Sequence, residues 1–493
     1  MGLDSPSYRS PGGAPESGPV NGGMRPLLVS LFGLTELYRA VAGNLPPDVA
    51  EPCWITTDEY WTEYLVSSGV DRRRILQLIY SPRHFLDENI RAALIRQIAE
   101  CEKQSGLTVN SALMMDRFLA ERPRKNINDY VVLYYRDIKR FLEDNRITHV
   151  FAEPTNFNDL MLYMICRELG IAYISPRDMR YPPRRVVFFD GFLQERILPI
   201  PNGEATISGR ELLESFAAGR PRPYYFDKLN RRRIVYPGKI ARSAYRRLRL
   251  RGVVSGSSLT HYDAWGRTKL TLRRAVNSFY MRRLCKYDDV HDLRGRTAFY
   301  GLHVQPENSI DVLGPFVSDQ LKLIKDIRRS LPFDTTLIVK EHPNFLGMKG
   351  PAFFRDLRKI PNVRLIRHDI PTFDLYDRVD LVLTVSGTIA YEAGMLGIPA
   401  ITFSPMYFGG LSSVRYCRST EDLPILASDM MDNFSRDYDA DCQFMESMLR
   451  YSHDGYWTDP LFDRSVLDPE NIQKLTRAFA ALLQSWSLST PSA

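Results

Sequence analysis

Two short polar turns in the second half of the chain follow apolar, strand-like runs, and their residue types could hold a phosphate. The first is KEHP, Lys340 to Pro343, after TTLIV. An imidazole such as His342 donates to a phosphate oxygen, the Lys340 ammonium adds charge, and Pro343 stops the strand and fixes the turn. The second is VSGTIAYEAGMLGIPAITF, Val385 to Phe403, where a strand runs into Ser386, Gly387 and Thr388 at the start of a helix. Unpaired N–H groups and the positive end of the helix dipole point into such a turn, and Gly387 lets a phosphate approach the backbone. Glu392 lies one helical turn beyond Thr388 on the same face, where a carboxylate accepts hydrogen bonds from ribose hydroxyls. Each turn alone also reads as a strand cap or a helix N-cap. Their coincidence on one rim points to a site.

In open parallel sheets, ligands collect beyond the carboxyl ends of strands. That rule adds Thr57 and Asp58, then Glu153 in FAEPTNFND, where a carboxylate suits a general base that takes a proton from an acceptor hydroxyl. Arg177, Asp178 and Arg180 in SPRDMRYPPRR end the next strand and suit an anionic acceptor or donor carboxylate. Gln305 and Glu307 follow the strand TAFYGLHVQ. For Glu153 the plainer account is an acid at a helix N-terminus, and for the arginines a surface ion cluster. No Walker A sequence and no GxGxxG follows a strand, and no DxD or other metal pair falls at these turns. Lys, His and a helix dipole can stabilise a departing phosphate without a metal, so neither metal nor cofactor is expected.

The elements that must position these residues alternate strand and helix at short spacing, the pattern of α/β layers on parallel strands. The expected organisation is a tail over 1–24 and a Rossmann-like domain over 25–200. A basic, largely helical insertion over 201–295 leads to a second Rossmann-like domain over 296–465, then a terminal helix and tail over 466–493. Val131, Tyr134, Tyr135, Ile138 and Phe141 recur at helical spacing, Asn156 or Asn158 caps the helix after FAEP, and Gly170 stops it. In the last helix Ile472, Leu475, Phe479, Leu482 and Leu483 share one face, fit to pack back across a domain boundary.

A chain of 493 residues, 44% hydrophobic and 25% charged, is of globular type. Its greasiest helical stretch, LMLYMICRELGIAYI, is interrupted by Arg167 and Glu168 and does not span a bilayer. Six cysteines without metal spacing read as buried thiols of a reducing cytoplasm. The start lacks the charged and apolar regions of a secretory signal. The formal charge of +7 is exceeded by the excess between Asp227 and Tyr287 alone, where Ile240, Ala244 and Leu248 line one face of GKIARSAYRRLRLRG. A basic amphipathic helix of this kind lies on an anionic membrane, so peripheral docking on the inner face of the plasma membrane through 228–286 is one reading. A solvated insertion whose Arg stems cover apolar surface is the other. No nucleic-acid module accompanies the arginines.

The motifs KEHP and VSGTIAYEAGMLGIPAITF, with FYGLHVQPENSIDVLGPFVSDQ at Phe299 to Gln320, resemble the capsule polysaccharide biosynthesis family of bacterial GT-B glycosyltransferases, which includes capsular β-Kdo transferases. The likeness runs from about 299 to 410. It implies two Rossmann-like domains facing a cleft, the second binding a nucleotide-activated sugar (CMP-Kdo or a similar CMP or UDP sugar) and the first a glycan or glycolipid acceptor. His342 and Pro343 match the family's HP element at the donor phosphate, and Ser386 and Thr388 the Ser/Thr element after it. The acidic motif of the first domain has no match, so Glu153 rests on placement alone and inversion or retention stays open. A non-hydrolysing nucleotide-sugar 2-epimerase and a non-catalytic GT-B partner of an assembly complex are the alternatives.

Overall fold

The computed structural model describes residues 24–47, 49, 51–78, 87–116, 119, 124–202, 207–221, 264–342 and 346–489. The tail 1–23, the helix expected around 238–252 and Pro343 of the KEHP turn lie outside them.

The first sheet collects β1 (Pro26–Val29), β2 (Cys53–Thr56), β3 (Ile75–Gln77), β4 (His149–Phe151), β5 (Ala172–Asp178) and β6 (Arg185–Asp190). The second collects β7 (Thr297–Gly301), β8 (Thr336–Lys340), β9 (Val363–Ile366), β10 (Leu381–Thr384), β11 (Ala400–Thr402) and β12 (Val414–Tyr416); β13 (His453–Asp454) returns to the first. The strand orders are β13-β6-β5-β4-β1-β2-β3 and β12-β11-β10-β7-β8-β9. Within each, the first strand sits at the centre, its second and third neighbours run one way and its fourth to sixth the other. That is the doubly wound order, whose direction reverses between β1 and β4 and again between β7 and β10. The second sheet is parallel throughout. Burial on both faces accounts for its apolar runs: Leu381, Val382 and Leu383 are all fully enclosed. The fold is therefore the expected α/β architecture of two Rossmann-like halves.

Several details depart from the sequence expectations. The first sheet ends in antiparallel strands, because β6 folds back on β5 and β13 pairs with β6. Residues 453–454, expected in the second domain, thus belong to the first sheet. The terminal helix Pro469–Ser489 follows them there, and Ile472, Leu475, Phe479, Leu482 and Leu483 pack with Leu37, Tyr38 and Val41 of the helix Leu34–Ala42. The span 201–295 is also not wholly an insertion. The helix Gly209–Gly219 opens with a Ser208/Glu211 capping box and buries Leu212, Leu213 and Phe216 in the core of the second domain. Asn156, not Asn158, caps Phe157–Leu169, accepting from the N–H groups of Asn158 and Asp159; Gly170 ends it at φ 68°. Asp58 caps Glu59–Ser67 through Trp61 N–H, which explains its place at a strand end without a ligand.

The two halves meet through specific polar contacts. Asn308 Nδ2 donates to Pro154 O, Tyr391 Oη to Tyr181 O at 3.0 Å, and the Tyr407 N–H to Gln194 O at 2.7 Å. Val312 of the second half is buried in the core of the first.

Candidate functional site

Parallel alignment puts the carboxyl ends of β10, β7 and β8 side by side, so the two polar turns flank the end of β7. His303 follows β7 between them. Its Nε2 accepts the Val385 N–H at 3.1 Å and lies 2.8 Å from Thr384 Oγ1, which accepts the Gly387 N–H at 3.1 Å. An acceptor nitrogen must be unprotonated, and burial, with help from Lys349 and His342, pulls this imidazole down to about 3. His303 is therefore a neutral bracket across the switch point, and it fixes the turn that starts the helix Thr388–Leu396.

That helix begins at Gly387 with no side-chain cap. A Cβ on Gly387 would lie 2.5 Å from Thr384 Oγ1 and 3.4 Å from His303 Cε1, so the turn packs this closely against them only with glycine. Ser386, expected at a phosphate, instead donates to Ser309 O and ties the turn to the loop after β7. Thr388 is half-buried at the first helical position.

On the other flank, Lys340 corrects the sequence expectation. As the last residue of β8 it points inward: its Nζ donates to Ile370 O at 3.0 Å and Thr372 Oγ1 at 2.7 Å, and burial pulls it down to about 8. The cation at the rim is Lys349, two residues beyond Gly347, whose Nζ donates to His303 O at 2.7 Å. Burial lowers its pKa, with Glu341 and Asp311 opposing that shift. Glu341 is buried, and burial raises its carboxyl; one oxygen accepts the His342 N–H at 2.9 Å. His342 is half-buried and close enough for its charge to act on His303.

Gln305 and Glu307 are occupied by the loop itself. Gln305 Nε2 donates to Asp311 Oδ1 at 2.8 Å and Ser318 O at 3.1 Å, and Glu307 Oε2 accepts from Ser309 Oγ at 2.6 Å. Both shape the rim rather than present a free group to an acceptor. Glu392 accepts from Tyr376 Oη at 2.7 Å; burial raises it to about 7, opposed by the charges of Arg180 and Lys340. Arg180 belongs to the first domain and is exposed, and it lies close enough to Glu392 for its charge to act on that carboxyl.

At the switch point of the first sheet, Glu153 follows β4. Arg177 Nη1 donates to one of its oxygens at 2.8 Å and Trp457 Nε1 to the other at 2.7 Å. Arg177 and Glu153 retain 17% and 12% side-chain exposure, which makes this an enclosed ion pair. Tyr38 Oη, Ser175 Oγ and the Nε and Nη2 of Arg177 are buried and have no partner among the described residues. Such atoms are where a bound hydroxyl or anionic group would find hydrogen bonds. Asp459 lies close by, its carboxyl raised by burial and by the charge of Glu153. Asp178 sits near Tyr407 and Tyr456, on whose phenols its charge acts.

Sequence reasoning missed His303, Lys349 and Trp457. Lys349 was within reach, since it shares the strand-to-helix loop of KEHP. His303 needed the knowledge that β7 lies between β8 and β10, and Trp457 that the chain recrosses to the first sheet. Among the described residues, no cluster of His, Cys, Asp and Glu is arranged to hold a metal, and no helix is long and apolar enough to cross a membrane.

Residues 252–416 match the family model described as capsule polysaccharide biosynthesis protein, about a third of the chain, and the resemblance drawn from the motifs is borne out over that stretch. No curated protein sequence matches. Similar solved structures include KpsC of Thermosulfurimonas dismutans, as its β-Kdo 2,7 transferase (11% identity, 70% of this chain, 89% of that chain, TM-score 0.32). Its β-Kdo 2,4 transferase is 14% identical over 68% of this chain and 87% of that chain, also at TM-score 0.32. A UDP-GlcNAc 2-epimerase of Neisseria meningitidis, solved with UDP-GlcNAc, is 9% identical over 92% of this chain and all of that one, at TM-score 0.27.

Proposed function

We propose that this protein is a glycosyltransferase of capsule or surface polysaccharide synthesis, which takes a sugar from a nucleotide-activated donor such as CMP-Kdo or a related CMP or UDP sugar. The observation that carries this reading is the switch point of the second sheet. There the uncapped start of the helix Thr388–Leu396, Lys349 and His342 gather around the neutral His303 bracket. Helix-terminal N–H groups and an ammonium offset the charge that develops on a departing nucleotide phosphate. Glu392, half-buried one turn deeper, stands where ribose hydroxyls would reach it. The first sheet supplies the acceptor side: Glu153, oriented by Arg177 and Trp457, is the proton acceptor for the attacking hydroxyl, and Arg180 with Asp178 lines its approach. Arg177 and Trp457 each donate to one Glu153 oxygen and so fix the orientation of the carboxyl toward the acceptor hydroxyl. The reading includes an acceptor carried on a lipid, met at an anionic surface through the basic stretch 228–286.

Thermal-shift measurements with CMP, CDP, UMP, UDP, GDP and dTDP test the donor side. One of these nucleotides raises the melting temperature of the wild type and not of Lys349→Met. If none stabilises the wild type, the donor assignment fails. Incubation of the nucleotide sugar without acceptor leaves it unchanged for a transferase, whereas an isomerised nucleotide sugar would make the protein an epimerase.

A further inference from the structure

The helix Ala264–Arg283 rests on the second domain by one face. Asn277 Nδ2 donates to Gly347 O at 3.0 Å, Ser278 Oγ to Leu346 O at 2.8 Å, and Met281 is fully buried. Gly347, at φ 89°, lies directly under the helix: a Cβ there would stand 2.3 Å from Ser278 Oγ and 2.4 Å from Arg274 O. Successive helical residues project about 100° apart, so the side opposite Asn277 and Met281 carries Leu272, Val276 and Phe279 in line, with Arg283 after them. These three are exposed at 66%, 60% and 60%. Single exposed apolar residues are ordinary, but three spaced i, i+4 and i+7 form a stripe. Lys269 and Arg273 border it on one side and Arg282 on the other, all exposed, and the helix contains no Asp or Glu.

We infer that this outward face is a docking surface for an anionic lipid membrane, with Leu272, Val276 and Phe279 entering the acyl boundary while the flanking cations meet lipid phosphates. The inference rests on the part of the proposed reading that places the acceptor at a membrane. Charge decides the occupant. A second copy of the same face would set arginines against arginines, whereas an anionic interface offers both the apolar layer and the counter-charge that the stripe and its borders require. The same helix holds the loop Leu346–Gly347, and two residues further Lys349 reaches His303. A docked helix would therefore fix the donor rim in its orientation toward the bilayer.

The test is sedimentation of the full chain with vesicles of phosphatidylcholine alone and of phosphatidylcholine containing about a third phosphatidylglycerol, at low salt. The wild type partitions onto the anionic vesicles. L272Q/V276Q/F279Q lowers that partitioning by about tenfold or more, with the nucleotide-induced thermal shift intact. The control Ile425→Gln, another exposed apolar residue, partitions as the wild type does. Equal binding by wild type and triple variant would overturn the inference and leave docking to the rest of the basic stretch. Absence of binding by both would remove the membrane reading itself, and the inference with it. A triple variant that changes from dimer to monomer without losing vesicle binding would assign the stripe to self-association. One that loses several degrees of melting temperature while binding unchanged would show the stripe covered by the chain itself. Either result also overturns the inference.

Discussion

The two switch points of this molecule share a strand order and differ in almost everything else. The second, between β7 and β10, is neutral at its heart. A neutral imidazole, a threonine hydroxyl and backbone N–H groups fix a turn whose one glycine packs directly against Thr384 and His303. The first, between β1 and β4, is ionic, with Glu153 clamped by Arg177 and by Trp457 from a distant part of the chain. A neutral His303 adds no charge of its own between a helix end and the Lys349 ammonium, whereas Glu153 is held in one orientation by two donors. On the proposed reading, the difference suits the two halves of a transfer reaction: one rim would receive charge and the other would remove a proton.

The contrast can be broken from either side. On the proposed reading Glu153→Gln has the largest effect, lowering transfer by about a thousandfold in steady-state assays while nucleotide binding persists; full activity would end its role as base. Arg177→Met leaves the Glu153 carboxylate enclosed without its cation, and urea unfolding should show a loss of about 3 kcal/mol. Next comes His303→Ala, which strands the Val385 N–H and costs about 2 kcal/mol together with nucleotide binding. His303 also gives a pH signature. Its folded pKa of about 3 lies below the ordinary 6.5, so the unfolded chain takes up a proton over that interval and the folded protein does not. The contribution is complete above about 6.5 and is lost as pH falls toward 3, and the His303→Ala variant should show a shallower decline across that range. Gly387→Ala is the smallest, about 1 kcal/mol from the clash with Thr384 Oγ1, with donor affinity reduced about tenfold. An unchanged affinity would show that ligands do not approach that turn.

Much of the second domain was legible because each strand is short, apolar and bounded by polar turns. TTLIV and the run that leads into Ser386 are strands, as expected. The direction of Lys340 was not legible. A residue at a strand end can point outward or inward, and inward won here because Ile370 O and Thr372 Oγ1 stand ready to satisfy the ammonium. The direction of the Ser386 hydroxyl was equally hidden, since it donates to a carbonyl on a neighbouring loop. The edge strands β3, β12 and β13 escaped notice, being two or three residues long and without a full alternating pattern.

Local chemistry along the chain determined the α/β class, the second domain's strands, the SGT turn at a helix start and the apolar face of the terminal helix. Each of these depends on neighbours within a few residues, where periodicity and turn residues act. The order of the strands, the place of His303 between two turns nearly forty residues or more away, and the closing of Glu153 by Trp457 belong to the tertiary structure. Those pairings join residues far apart in the chain, and only the packing of whole elements brings them within hydrogen-bonding reach.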